Sequence, residues 1–328
     1  MRAWALAAGV ALARHVSMMV DAEGAQEITT DSNVIEDIEG FLRQELGGKK
    51  FTYVVNQGNA GDSLIQYGTL LTFDSLGLDY DLAAPWKEFR DTTLVYAGAG
   101  NLVGLYPDCR DFLNINAPPA KGNTILLLPA TVKNEDSTLK RLGGNVKVMA
   151  RERISFDYVQ RFLPASQVYL AKDMAFQIPK YDTFLKTARE SKPAQRKVAM
   201  LYRTDTEATS KVVPRGNIDL SAQLPGVAFD SGVHPEGVSH DAKMLKAQLA
   251  DTAHKIFKHM QGYTEVWTNR LHMCISASIM DREAHCQRNS YWKNKAIFEF
   301  AIRPNYPNAH FEDDSQVPIL AETTEEDA

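Results

Sequence analysis

Two α/β domains in tandem, with a ligand cleft between them, are what this sequence predicts. Three observations lead there. Short apolar stretches alternate with helix-length amphipathic ones, as in parallel sheets covered on both faces. The alternation lapses over a polar, charged stretch, 181–196, and then restarts. A chain of 328 residues also matches two domains of about 150 residues each. The expected organisation is an N-terminal segment 1–47, a first domain 48–180, a linker 181–196, a second domain 197–311 and an acidic tail 312–328.

Each element has its own signal. Asp31 or Ser32 can cap a helix that runs to Gly47, because Val34, Ile35, Ile38, Phe41, Leu42 and Leu46 fall on one stripe. Phe51–Val55 is a short strand. The loop Asn56–Gly61 follows, and Asp62 is placed to cap a helix from Ser63 to about Leu76. Thr93–Ala97 is a strand that runs into Gly98 and Gly100. Ile125–Leu128 and Val146–Ala150 are further apolar strands. Ile154–Phe162 reads as a helix, and Gln167–Ala171 as a strand ending before Asp173. After the linker, Lys197–Tyr202 is a strand and 214–235 a Gly/Pro-rich connection. Asp241–Gln261 is a long helix, Glu265–Thr268 a strand, Arg270–Met280 a helix and Lys295–Ile302 a last helix. Ligands in such folds sit at the carboxyl ends of the strands.

Composition narrows the class. Hydrophobic content of 44% and charged content of 23% exclude wholesale disorder, a collagen and a polytopic membrane protein. The net charge is −5, but the tail holds seven acids (Glu312, Asp313, Asp314, Glu322, Glu325, Glu326, Asp327) and no Lys or Arg. The body is therefore close to neutral, with no basic excess to suggest nucleic acid as partner. The tail reads as a solvated, disordered end. Ala3–Ala13 is an apolar run between Arg2 and Arg14, too short for the roughly 20 residues that span a bilayer. It fits either a weak signal peptide or an Ala-rich helix. Cys109, Cys274 and Cys286 form no C-x-x-C pair and read as reduced thiols. A cytoplasmic location is expected, with the secretory pathway or Golgi lumen as the alternative if residues 1–13 act as a signal.

The chemistry concentrates in loops that follow strands. Gly58, Asn59 and Gly61 lie between a strand and a helix start, where backbone N–H groups can approach an anion. The same loop can equally be a tight turn with a polar cap. Gly98-Ala99-Gly100-Asn101-Leu102-Val103-Gly104 is one residue off the dinucleotide spacing and lacks the downstream acid, so no NAD site is expected. Arg151-Glu152-Arg153 puts fixed cations at a strand's carboxyl end. Arg203, Asp205 and Glu207 repeat that arrangement in the second half. Asp79-Tyr80-Asp81 has the D-x-D spacing of some metal-dependent glycosyltransferases, but two aspartates suit any turn, and no metal is expected. Thr268-Asn269-Arg270-Leu271-His272 is the sharpest cluster. There a strand ends and a helix begins, with an Arg able to fork onto an anion and a His able to move a proton. His254 and His259 lie five apart on a helix and read as surface residues.

These segments together resemble a known family. N-x-G-N-A-G-D-S-L-I from Asn56 is followed by G-A-G-N-L, L-P-A-T, A-R-E-R-x-S-x-D, K-D-M-A-F, R-T-D-x-E, T-N-R-L-H and N-S-Y-W-K-N. Eight short motifs in this order, over about Thr52 to Phe298, resemble the polysaccharide pyruvyl transferases. The resemblance implies two Rossmann-like domains of glycosyltransferase-B type. It implies phosphoenolpyruvate as donor, a glycan or lipid-linked oligosaccharide as acceptor, and a pyruvate ketal as product. A lipid-linked acceptor would bring the protein to a membrane surface. No cofactor is implied beyond the donor. The R-L-H motif maps onto Arg270, Leu271 and His272, and an upstream donor arginine onto Arg151. Gly58, Asn59, Gly61, Gly100, Asn101, Arg203, Asp205 and Lys293 complete the expected binding set. The chain departs from the common T-D-R-L-H-G form at Asn269 and Met273.

Phosphoenolpyruvate carries about three negative charges, which arginines and helix N-termini would balance. Ketal formation needs C3 protonated, and His272 is the candidate acid. A carboxylate must take the hydroxyl proton; Asp62 is the first candidate, with Asp173 and Asp205 as alternatives. Two other functions share the fold. One is a sugar-nucleotide-dependent glycosyltransferase, and the other a non-catalytic glycan-binding member.

Overall fold

The computed structural model describes residues 33–205, 207–208, 214, 216–224, 226 and 242–312. The apolar run 3–13, the tail beyond Glu312 and half of the connection 214–235 lie outside them.

Strands β1 (Val34–Ile35), β2 (Lys50–Val54), β3 (Asp79–Ala83), β4 (Thr93–Tyr96), β5 (Ala99–Leu102), β6 (Thr124–Val132), β7 (Val146–Ala150) and β8 (Val168–Ala171) build one sheet. Its order is β3-β2-β4-β6-β7-β8-β1, with β5 beside the end of β6. A second sheet has the order β9-β10-β11-β12, from β9 (Val198–Met200), β10 (Glu265–Thr268), β11 (Glu283–Gln287) and β12 (Ala309–Glu312). Both sheets are parallel throughout. The helices are α1 (Ile38–Leu46), α2 (Ala60–Ser75), α3 (Asp108–Asn116), α4 (Asp136–Leu139), α5 (Arg153–Gln160), α6 (Ile178–Tyr181), α7 (Thr183–Glu190), α8 (Leu220–Gln223), α9 (Ala242–Gln261), α10 (Leu271–Ile279) and α11 (Lys293–Ile297).

The strands are apolar on both faces because both faces are covered. Leu94 and Tyr96 of β4 point with Ile125, Leu127 and Val148 toward Phe112 of α3 and Phe156 of α5. Val95, Leu126, Leu128 and Met149 point the other way. They join α1, α2, α9 and α10 in a larger core that continues to the second sheet. Gly68 lets α2 lie against the backbone of Met174: a Cβ there would come within 2.1 Å of its carbonyl oxygen. Strand order in the first sheet reverses between β2 and β4, where open α/β sheets leave a crevice for ligands.

Several local expectations are corrected. Val34–Ile35 is a strand pairing with β8, and the first helix starts at Ile38 under an Asp37 cap. Asn59, not Asp62, caps α2, and Asp62 is the reciprocal partner three residues on. Asp79-Tyr80-Asp81 is strand rather than turn; Lys50 bridges Asp81 at 3.0 Å across the sheet. Ala99–Leu102 pairs with β6 instead of forming a loop. The polar stretch 181–196 carries helix α7, which buries Leu185 and Ala188. Cys274 and Cys286 are joined in a disulfide between α10 and β11, leaving Cys109 as the free, buried thiol. His254 is not a plain surface residue: it bonds Asp182 at 2.7 Å and stacks on Phe184. No helix among the described residues is long and apolar enough to cross a membrane.

Candidate active site

A cavity of about 230 Å³ lies at the carboxyl ends of β2, β5, β7, β9 and β10. Loops and helix starts following strands of both sheets contribute to its wall.

Arg151 leaves β7 fully buried. Its Nε donates to Thr131 Oγ1 at 2.9 Å and its Nη1 to Asp173 Oδ2 at 2.7 Å. Asp173 follows β8 and also accepts from the Ala175 N–H at 2.9 Å. Burial works against its charge, yet His272 and Arg151 hold its carboxyl well below the usual range. Gly100 gives Arg151 room: a Cβ there would stand 3.0 Å from Nη2.

His272 sits in the first turn of α10 with its Nε2 buried and without a hydrogen-bond partner, 3.6 Å from Asp173 Oδ2. Its other ring nitrogen lies on Gly61, where a Cβ would come within 2.5 Å of Nδ1. The start of α2 thus forms the floor beneath the imidazole. Asp62 completes that start by accepting from the Asn59 N–H at 3.0 Å, while Asn59 Oδ1 accepts from the Gly61 N–H at 2.8 Å. Burial pushes the Asp62 carboxyl up, against the opposing pull of His272.

Glu207 is the hub of the other wall. Its Oε2 accepts from Arg203 Nη1 at 2.8 Å, Lys293 Nζ at 2.7 Å and Asn289 Nδ2 at 3.0 Å; its Oε1 accepts from Tyr106 Oη at 3.0 Å. These partners overcome burial and lower its pKa to about 2. Lys293 is pushed down to about 8 by burial, with Arg151 and Arg203 adding repulsion against the pull of Glu207.

Arg270 does not present an open fork. Nε and Nη2 donate to Asp219 at 2.6 and 2.7 Å, and Nη2 also reaches Asp205 at 3.0 Å. Arg203 is similarly engaged with Asp205 at 2.7 and 3.0 Å. Asn269 holds the two strand ends together, accepting from the Arg203 N–H at 2.8 Å. Met273 is fully buried.

Of the residues expected from sequence, Gly58, Asn59, Asp62, Gly100, Asn101, Arg151, Arg203, Arg270, Leu271, His272 and Lys293 line the cavity. Gly61 lies behind His272, and Asp205 braces Arg203 and Arg270 from outside. Asn101 turns inward, bonding Asn56 Oδ1 at 2.5 Å and Tyr96 Oη at 2.8 Å. Tyr106, Asp108 and Ser221 also line the wall and carry no motif signal. Nor does Asp219, which fixes Arg270 from within the irregular connection.

Parallel sheets with Arg151, Arg203, Arg270 and Lys293 gathered with their carboxylate partners around one cavity define an α/β protein with a charged, ion-paired site beyond its strand ends. Its relatives make this specific. Residues 59–290 match the family model for polysaccharide pyruvyl transferases, and the chain belongs to that family. It is 25% identical to EpsO of Bacillus subtilis (strain 168), whose name assigns it to pyruvyl transfer, over 74% of this chain and 81% of the relative. A solved structure, of an uncharacterized protein from Klebsiella pneumoniae subsp. pneumoniae NTUH-K2044, aligns with a TM-score of 0.67 at 25% identity. That alignment covers 84% of this chain and 96% of the other. The family supports transferase activity in polysaccharide pyruvylation.

Proposed function

We propose that this protein moves the enolpyruvyl carbons of phosphoenolpyruvate onto two hydroxyls of one sugar in a glycan, forming a pyruvate ketal and releasing phosphate. One observation carries the reading: Arg151, Arg203, Arg270, Lys293, the first turn of α10 and His272 converge on a single small cavity. Its volume of about 230 Å³ falls below the roughly 300–1,000 Å³ of pockets that enclose drug-sized ligands. That favours a small trianionic donor over a sugar nucleotide. We read the two sheets as two Rossmann-like domains in the glycosyltransferase-B manner.

The residues divide the work by their ionisation. His272 delivers a proton to C3 of the enol, which makes C2 electrophilic. Asp62 takes the proton of the first sugar hydroxyl as its oxygen bonds C2; burial raises its pKa and so makes it a stronger base than an ordinary carboxylate. Phosphate then leaves C2, a second hydroxyl of the same sugar closes the ring, and phosphate carries off that proton. Asp173, held ionised, keeps Arg151 and His272 in place. Asp205 is also held low, chiefly by Arg203 against its burial, and is spent on ion pairs. Neither is a good base.

The test is direct. Full-length protein is incubated with phosphoenolpyruvate and glycans bearing galactose, mannose or glucuronate, and acceptor-dependent phosphate release is measured. A parallel arm supplies sugar nucleotides. Consumption of a sugar nucleotide, with phosphoenolpyruvate untouched, would overturn the proposal.

A further inference from the structure

We propose that the second sheet carries a binding site for a divalent cation of the zinc class, on His285, Glu265 and Glu283. The site is distinct from the cavity, since none of the three lines it. Glu265 and Glu283 open the adjacent strands β10 and β11 and are paired in register. His285 lies two residues beyond Glu283 and therefore projects from the same face. It is paired in register with Trp267, and their rings stack 4.0 Å apart.

Three observations point to a cation. The first is geometric. The candidate ligand atoms of the three side chains all lie within 4.8 Å of one another. His285 Nε2 stands 3.3 Å from Glu283 Oε1 and 3.6 Å from Glu265 Oε1. Ligands about 2.0–2.1 Å from a tetrahedral zinc lie about 3.3 Å apart, so both separations are close to the edge of such a site. The second is the tautomer. His285 Nδ1 is 2.8 Å from Glu312 Oε1, which fixes the ring proton on Nδ1 in the neutral imidazole. Nε2 is then the lone-pair nitrogen. It is buried, has no hydrogen-bond partner, and faces two carboxylate oxygens that would repel it unless a positive charge lay between them. A carboxylate behind a histidine is the usual support for a metal ligand.

The third observation is charge. Glu265, Glu283 and Glu312 contribute three negative charges around His285. Arg196, on Glu265 Oε2 at 2.7 Å, offsets one. The remainder matches a dication. Trp267 Nε1 donates to Glu265 Oε1 at 2.5 Å, so that oxygen is oriented by a neutral donor. One nitrogen and two carboxylate ligands suit zinc among the available divalent metals.

The experiment uses full-length protein stripped with a chelator and titrated with zinc chloride. We expect saturable uptake of one zinc per chain by calorimetry and a higher melting temperature. His285→Ala should abolish the uptake. Glu283→Gln, at a half-exposed position where folding is safe, should weaken it at least tenfold. Glu312→Ala should weaken it ten- to a hundredfold by releasing the ring. Absence of one-to-one uptake, or full affinity in Glu283→Gln, would overturn the proposal. So would a melting temperature indifferent to zinc.

Discussion

Two helix starts meet at the cavity, and they are finished differently. The first turn of α2 is closed by its own side chains: Asn59 and Asp62 cap it reciprocally. The first turn of α10 has no side-chain cap, and Arg270 at the capping position turns its guanidinium away to Asp219. A helix start carries a partial positive charge and unpaired N–H groups. Those of α2 are used to shape the wall, whereas those of α10 have no side-chain cap and, in the proposed mechanism, serve the donor. A glycine-rich loop before a helix is therefore not by itself an anion site; what decides is whether the helix caps itself. In this chain the glycines of the first loop serve contact. A Cβ at Gly58 would strike the Asp62 carboxylate at 2.0 Å, and one at Gly61 would strike His272.

The contrast breaks most visibly at His272, on the open start. His272→Ala should lower turnover by about 10²–10⁴ with a smaller effect on donor affinity. His272→Gln keeps a hydrogen-bond donor but supplies no proton at C3. A near-normal rate in that variant would reduce His272 to a binding residue.

The open start also needs an anchor, and the Cys274–Cys286 disulfide supplies it one residue beyond Met273. Closing a loop of this size is worth about 3 kcal/mol in the chain-entropy account. Cys274→Ser with Cys286→Ser should lower unfolding free energy by about that much in denaturant titration. Reducing agent should destabilise the natural protein and leave the double variant unchanged.

Lys293 sharpens the comparison through pH. Its folded pKa of about 8 lies below the ordinary lysine value of 10.5. The neutral form is favoured in the fold, so this group's contribution to stability grows as pH rises from about 8 to 10.5. Donor affinity runs the other way. As Lys293 loses its charge above about pH 8, binding of an anionic donor should weaken, by up to tenfold per unit. Lys293→Arg, charged throughout, should abolish that limb. Titrating phosphoenolpyruvate binding between pH 7 and 9.5 in both proteins reads it out.

Much of the site is legible in the amino-acid order, because its residues follow apolar strands and the carboxyl ends of strands collect ligands. Arg151 and His272 are placed that way, and Lys293 by its N-S-Y-W-K-N motif. What stays hidden has physical reasons. Asp219 belongs to the Gly/Pro-rich connection and gains meaning only when the fold brings Arg270 to it. β11 (EAHCQ) and β12 are short and polar, so their alternation does not show. Helix α7 is masked by charge, since Leu185 and Ala188 alone among its residues are buried. The disulfide has no spacing signature; it needs α10 and β11 folded side by side.

The smallest expected effect tests the closed start itself. Asn59 lines the cavity, so it could be a ligand contact as well as a cap. Its Oδ1 accepts from Gly61 N–H at 2.8 Å and from Ser221 Oγ at 3.0 Å, which occupies that oxygen and leaves only the amide Nδ2 to reach a ligand. Loss of a helix cap costs typically about 1 kcal/mol, within a range of about 0.5–2. Asn59→Ala should therefore reduce stability by that amount and change phosphoenolpyruvate affinity less than threefold. Asn59→Ser retains a capping oxygen and should restore most of the stability. If both variants instead bind the donor tenfold more weakly while Asn59→Ser folds normally, the amide touches the ligand. The α2 start would then be a second half of the anion site, and the division between a closed and an open helix start would fail.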